Sequence, residues 1–182
     1  MGQIRLIIPG MTETLTTFVL AGGRSSRMGQ DKAEIEIDGR RMLDRACDLA
    51  AEVGSDRVVV LGRPDHPLGV ADEQPFAGPA RAIAAYLPRL QKPARILVLP
   101  VDMPFLKPNH IKALLANTPG AYFDDMYLPF TALVQEGVTI IGDRIRDLHA
   151  AFGVTSIPSD PAWGDALVNI NTPAVLAQIA GK

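Results

Sequence analysis

The stretch Thr16-Thr17-Phe18-Val19-Leu20-Ala21-Gly22-Gly23-Arg24-Ser25-Ser26-Arg27-Met28-Gly29-Gln30-Asp31-Lys32 decides the fold. Its first five residues are β-branched or apolar and stop at paired glycines, the pattern of a short buried strand. Small hydroxyl residues, an arginine, a further glycine and a lysine follow. Glycines let a backbone approach a ligand closely and take turns closed to other residues, so several N–H groups can converge on phosphate oxygens. Arg27 and Lys32 add mobile positive charge for the outer phosphates. Two better-known phosphate loops are excluded. A Walker loop needs Gly-Lys followed by Ser or Thr, whereas Lys32 stands between Asp31 and Ala33. The dinucleotide fingerprint needs Gly-x-Gly-x-x-Gly, whereas Gly22 and Gly23 are adjacent. On these residues alone, a surface turn with Arg27 and Lys32 solvated remains the competing reading.

The pattern continues outward from this stretch. Arg41 to Val53 carries Met42, Leu43, Ala46, Leu49, Ala50 and Val53 on one helical face. Arg57 to Leu61 reads as a second buried strand, ended by Gly62 and Pro64, and Ala80 to Leu90 as a helix. Arg95 to Leu99 is a third buried strand running into Pro100-Val101-Asp102-Met103-Pro104, and Pro108 to Leu115 begins a helix with proline in its first turn. Alternating strands and helices predict a parallel sheet with right-handed crossovers, hence an α/β, three-layer α/β/α Rossmann-like fold. Beyond residue 116 the expected elements are a strand over Tyr127–Val134, a helix over Asp143–Phe152, a strand over Val154–Ile157 and a helix over Pro173–Ile179. Residues 1–14 read as a loose N-terminal extension, with Met11 an alternative start, and residues 15–182 as a single domain.

Composition narrows the function. The 182 residues are 47% hydrophobic and 21% charged, which is ordinary for a globular chain. A formal charge of −2 gives no basic footprint for nucleic acid or anionic lipid, so a phosphate ligand must be held by local geometry. Ile4 to Met11 is apolar but too short for a membrane span. The lone Cys47 excludes an intramolecular disulfide and reads as a small core residue; the expected setting is a reducing cytoplasm. His66, His110 and His149 are scattered without a second ligand at metal spacing. Asp102 lies just past a buried strand, on the edge where open α/β sheets bind ligands. A carboxylate there can hold Mg²⁺ while triphosphate oxygens and water complete the shell, but an aspartate before a proline-led helix also reads as a cap.

Leu-Ala-Gly-Gly, Ser-Arg-Met-Gly and Asp-Lys, taken together from Leu20 to Lys32, closely resemble the signature of the MobA-like nucleotidyltransferases. The resemblance extends to Val101-Asp102-Met103-Pro104-Phe105-Leu106 and to Val168-Asn169-Ile170-Asn171-Thr172-Pro173, in the same order from Phe18 to Ile179. It implies that Leu20, Ala21, Gly22 and Gly23 cradle a nucleotide and that Arg27 and Lys32 neutralise its phosphates. Asp102 corresponds to the family's magnesium ligand. A guanine-reading carboxylate falls at Asp72, or at its neighbour Glu73: it can accept from both N1–H and the exocyclic amine, a contact adenine does not reproduce. Asn169 and Asn171 correspond to asparagines on the acceptor side; without the resemblance, Asn171-Thr172-Pro173 reads as a helix cap.

The implied reaction is transfer of a nucleoside monophosphate, GMP from GTP, to a phosphorylated small-molecule acceptor with release of pyrophosphate. The favoured acceptor is molybdopterin or its molybdenum-loaded form, with molybdoenzymes or cofactor-biosynthesis proteins as partners. Two other readings stand beside it: transfer to a sugar phosphate or similar metabolite, and a nucleotide-binding regulatory module without acceptor chemistry. Leu61 and Leu128 depart from the family, standing where an asparagine and a His-Pro histidine are common. Such an acceptor is already an oxyanion, so no Ser-His-Asp triad is required, and none is visible.

Overall fold

The structure, a computed structural model, describes residues 14–22, 29–71 and 77–180. Nine strands are found among them. Seven form one sheet in the order β5-β4-β1-β6-β8-β7-β9: β1 Thr14–Leu20, β4 Arg57–Leu61, β5 Gly69–Val70, β6 Ala94–Pro100, β7 Gly120–Phe123, β8 Phe130–Val134 and β9 Thr155–Ile157. A small hairpin of β2 Glu36–Ile37 and β3 Arg40–Arg41 stands apart. The first three sequence-predicted strands are β1, β4 and β6, and they pair parallel. β8 runs antiparallel to both β6 and β7, and the remaining pairings of the seven-stranded sheet are parallel.

Alternation along the strands separates two cores, because neighbouring side chains point to opposite faces. Phe18, Val59, Ile96 and Val98 face one side, against Ile83 of helix α2 (Pro79–Tyr86) and Leu148 of helix α4 (Ile145–Phe152). Val19 and Val60 face the other side with Leu43 and Ala46 of helix α1 (Met42–Glu52). There Leu97 and Leu99 meet Leu49 of α1 and Ile111 of helix α3 (Pro108–Leu115). These are the three layers the sequence predicts. A last helix, α5 (Pro173–Ala180), lays Val175 and Leu176 against Ile35, Ile37 and Ile170 beside the hairpin.

The differences from the sequence reading have local causes. α2 stops at Tyr86 rather than Leu90 because Pro88 lacks an N–H for the helix ladder; Leu87–Arg89 tighten into a 3-10 turn. β8 starts at Phe130 rather than Tyr127 because Pro129 has no donor to give a neighbouring strand. β7 is unforeseen, being only four residues long. Its Gly120 is needed for close approach, since a Cβ there would lie 2.1 Å from the Thr131 carbonyl oxygen. Among the described residues no helix is long and apolar enough to cross a membrane.

Candidate active site

Register places the site. Leu20 of β1 is level with Leu61 of β4 on one side and with Pro100 of β6 on the other. The chain therefore leaves all three strands at one edge, and backbone bonds hold the exits together: Ala21 N–H donates to the Leu61 carbonyl at 3.3 Å and Val101 N–H to the Leu20 carbonyl at 3.4 Å. β8 is antiparallel, so its beginning, and the turn from β7 into it, come to this same edge. A cleft of about 1110 Å³ opens there.

One half of the cleft lies over β1, β4 and α2 and is lined by Ala21, Gly22, Leu61, Gly62, Gly78 and Pro79. The other half is walled by Asp125, Met126, Tyr127 and Leu128 of the β7–β8 turn. Between them stand Asp31, Lys32, Asp102, Asn169 and Asn171. Lys32 and Asp102, 70 residues apart in the chain, are side by side: Lys32 Nζ donates to Asp102 Oδ2 at 3.0 Å, with both side chains about four-fifths buried. The same ammonium also donates to Asn171 Oδ1.

Lys32, Asp102 and Asn171 are turned to the cleft by the way their segments fold. Asp31 caps the 3-10 turn Lys32–Glu34, its Oδ1 accepting from Ala33 N–H at 3.1 Å, which starts Lys32 in a fixed direction. Asp102 is not the cap of α3: Lys107 holds that position, and its N–H donates to His110 Nδ1 at 3.0 Å. The Asp102 carbonyl accepts from Ile170 N–H at 2.7 Å, tying the Asn169–Asn171 segment beside it. Thr172, not Asn171, caps the last helix, its Oγ1 accepting from Val175 N–H at 3.3 Å. Asn171 is thereby left facing Lys32.

Oxygen donors of this kind suit a hard divalent cation. Asp102 Oδ2 and Asn171 Oδ1 already share one cationic group, the Lys32 ammonium. Among the described residues no cluster of three or more His, Cys, Asp or Glu is placed to hold a metal. One carboxylate beside a carboxamide oxygen is a hard-oxygen pair, of the donor type that could hold Mg²⁺ rather than a softer ion.

The other sequence candidates fall as follows. Gly23, Arg27, Asp72 and Glu73 lie outside the described residues. Leu61 is 4% exposed, a core residue whose edge also meets the cleft, so an apolar surface stands at the end of β4. Arg81 is half-exposed and pairs with Asp143 at 3.4 Å on the surface. Trp163 covers the core, edge-on to Phe123 at 5.1 Å and against His110 at 4.7 Å. Cys47 is half-buried beside the α1 core, and burial pushes its thiol up to about 11. Two residues were not anticipated. Tyr127 presents a 57% exposed ring at the cleft wall, backed by His149. Arg63 packs beneath the start of the glycine-rich segment, and an arginine in a turn after a strand carries no sequence signal to distinguish it from a solvated one.

Comparison with known proteins agrees with this fold. Residues 17–157 match the MobA-like NTP transferase domain family. The molybdenum cofactor guanylyltransferase of Xanthomonas euvesicatoria pv. vesicatoria is 38% identical over 170 residues, covering 87% of this chain and 90% of that protein. Among solved structures, Rv0371c from Mycobacterium tuberculosis H37Rv superposes with a TM-score of 0.70 at 19% identity, over 94% of this chain and all of that one. Molybdopterin-guanine dinucleotide biosynthesis protein A from Archaeoglobus fulgidus superposes at 0.67 and 19% identity, over 91% and 97% of the two chains. At those identities the structures speak for the fold.

Proposed function

Since the chain belongs to the MobA-like NTP transferase family, we propose that it transfers GMP from GTP to the phosphate of a molybdopterin-type acceptor and releases pyrophosphate. The observation that carries this reading is the convergence of Lys32, Asp102 and Asn171 at the middle of one cleft, between the half lined by Ala21 and Gly22 and the half walled by Asp125–Leu128. On this reading the nucleotide would lie over Leu20–Gly22, Leu61, Gly62, Gly78 and Pro79, and the acceptor against Asp125–Leu128 and Asn169.

In the reaction an acceptor phosphate oxygen attacks the α-phosphorus. The new O–P bond forms as the bond to the bridging β-phosphate oxygen breaks, and pyrophosphate departs with the electron pair. The acceptor oxygen is already anionic near neutral pH, so a general base is not needed. The work left to the protein is positioning and charge stabilisation. Lys32, and Arg27 from the glycine segment, would donate to the departing phosphates. Asp102, aided by Asn171, would hold Mg²⁺, which when bound withdraws charge from the phosphate oxygens. Asp72 or Glu73 would read the guanine edge. On this reading Lys32 exchanges its bonds to Asp102 and Asn171 for phosphate oxygens when the metal nucleotide arrives.

Mass spectrometry of the acceptor after incubation with GTP and Mg²⁺ tests the proposal. A mass gain of one GMP on molybdopterin supports it. Gain on a sugar phosphate instead would keep the chemistry and change the acceptor, as the apolar Leu61 and Leu128 permit. No gain on any phosphorylated acceptor would leave only the binding-module reading.

A further inference from the structure

Arg63 is the first residue after the glycine that turns the chain out of β4, where Gly62 takes a φ of +81°. Its side chain is 16% exposed, and each of its three nitrogens goes to a different place. Nε donates to the Ala21 carbonyl at 3.3 Å, at the entrance of the glycine-rich segment. Nη2 pairs with Asp31 Oδ2 at its exit. Nη1 lies 3.5 Å from Glu34 Oε1, in the 3-10 turn that begins with Lys32. The turn that carries Arg63 is itself fixed. The Arg63 carbonyl accepts from His66 N–H at 3.1 Å, and a Cβ on Gly69 would lie 1.6 Å from that oxygen, so only glycine closes it.

We propose that Arg63 is a positioning residue that latches both ends of the glycine-rich segment and thereby aims Lys32 at the reacting phosphates. The chain of cause is short. Arg63 holds one oxygen of Asp31; the other oxygen of Asp31 caps the turn at Ala33 N–H; that turn starts at Lys32; and Lys32 reaches Asp102 and Asn171. Arg63 is not among the cleft-lining residues, so it acts through this relay rather than by touching nucleotide. A planar guanidinium satisfies three separately placed oxygens at once; an ammonium is a point charge without that fork.

The inference rests on the transfer reaction proposed above, and its test separates the two. Four proteins are compared with GTP, Mg²⁺ and acceptor: wild type, Arg63→Gln, Lys32→Ala and the double variant. The latch predicts at least a tenfold fall in rate for Arg63→Gln, with less than a threefold change in the GTP dissociation constant. Arg63→Lys should recover part of the rate. The double variant should be no slower than Lys32→Ala, because a latch that aims Lys32 has nothing to act on once Lys32 is gone. Multiplying losses, or affinity lost in step with rate, would overturn the proposal in favour of a general structural role or direct phosphate binding. If Arg63→Gln does not fold, Asp31→Asn makes the same cycle. If wild type shows no turnover, the reaction is wrong, and hydrogen exchange still judges the latch. Exchange over residues 29–35 should then rise in Arg63→Gln while that of β1 and α1 stays put, and unchanged exchange would overturn it.

Discussion

Acidification from pH 7 to pH 5 is expected to destabilise the fold by about 2 kcal/mol through one side chain, His149 on α4. The ring is 5% exposed, stacked on Tyr122 at 4.3 Å and edge-on to Phe130 at 4.7 Å, and among the described residues its buried Nε2 has no hydrogen-bond partner. Burial pushes it down to about 4 from the ordinary 6.5, while a hydrogen bond to the Tyr127 backbone pulls the other way. The sign follows from where protons bind. Above 6.5 the ring is neutral in both states and the contribution is complete. Between 6.5 and about 4 the unfolded chain takes up a proton that the folded chain refuses, so stability falls with pH. At 1.36 kcal/mol per pH unit the whole loss is about 3 kcal/mol, of which about 2 falls between pH 7 and 5. Urea titrations at pH 7, 6 and 5 on wild type and His149→Phe measure it. Phenylalanine keeps a ring between Tyr122 and Phe130 but does not titrate, so its pH slope should be flatter than that of wild type by the same amount. Equal slopes in the two proteins would refute the reasoning.

Asp102→Ala is expected to abolish metal-dependent turnover at unchanged thermal midpoint, because the side chain faces the cleft rather than the core; Asp102→Asn should keep a trace by retaining one oxygen ligand. Normal turnover of Asp102→Ala at low magnesium contradicts the assignment. Lys32→Ala should lower the rate more than GTP affinity, read by single-turnover kinetics beside a binding titration, since its charge matters most as pyrophosphate leaves. Equal losses would place it in ground-state binding. A carboxylate facing guanine gains two charge-assisted hydrogen bonds and faces a lone pair on adenine, a difference on the order of 1–3 kcal/mol. Asp72→Ala should therefore erode the GTP-over-ATP preference more than it slows GTP, with Glu73→Ala as the matched control; a change confined to the Glu73 variant would move the role one residue along.

The buried framework was legible because its strands are covered on both faces. Arg57–Leu61 and Pro108–Leu115 fall where apolar runs and a leading proline put them. β5 and the β2–β3 hairpin, with strands of two residues, offer too short a pattern to read, and β7 lies hidden in a four-residue run after α3. The members of the site were legible one by one, but their meeting was not. Lys32 reaches Asp102 across 70 residues and Asn171 across 139, distances closed by long-range contacts such as the pairing of β1 with β6 and the bond from Ile170 to Asp102. Arg63 was illegible for the opposite reason. Its role comes from three partners on other segments, and nothing in its own neighbourhood sets it apart.

The most direct test of the central claim is pyrophosphate release by the wild-type protein with molybdopterin and Mg²⁺, run in parallel with GTP, ATP, CTP and UTP. Release that requires both the acceptor and the metal, and is fastest with GTP, is the predicted result. Release fastest with CTP or ATP would contradict the guanine assignment, and no release with any triphosphate would contradict nucleotidyl transfer in this cleft.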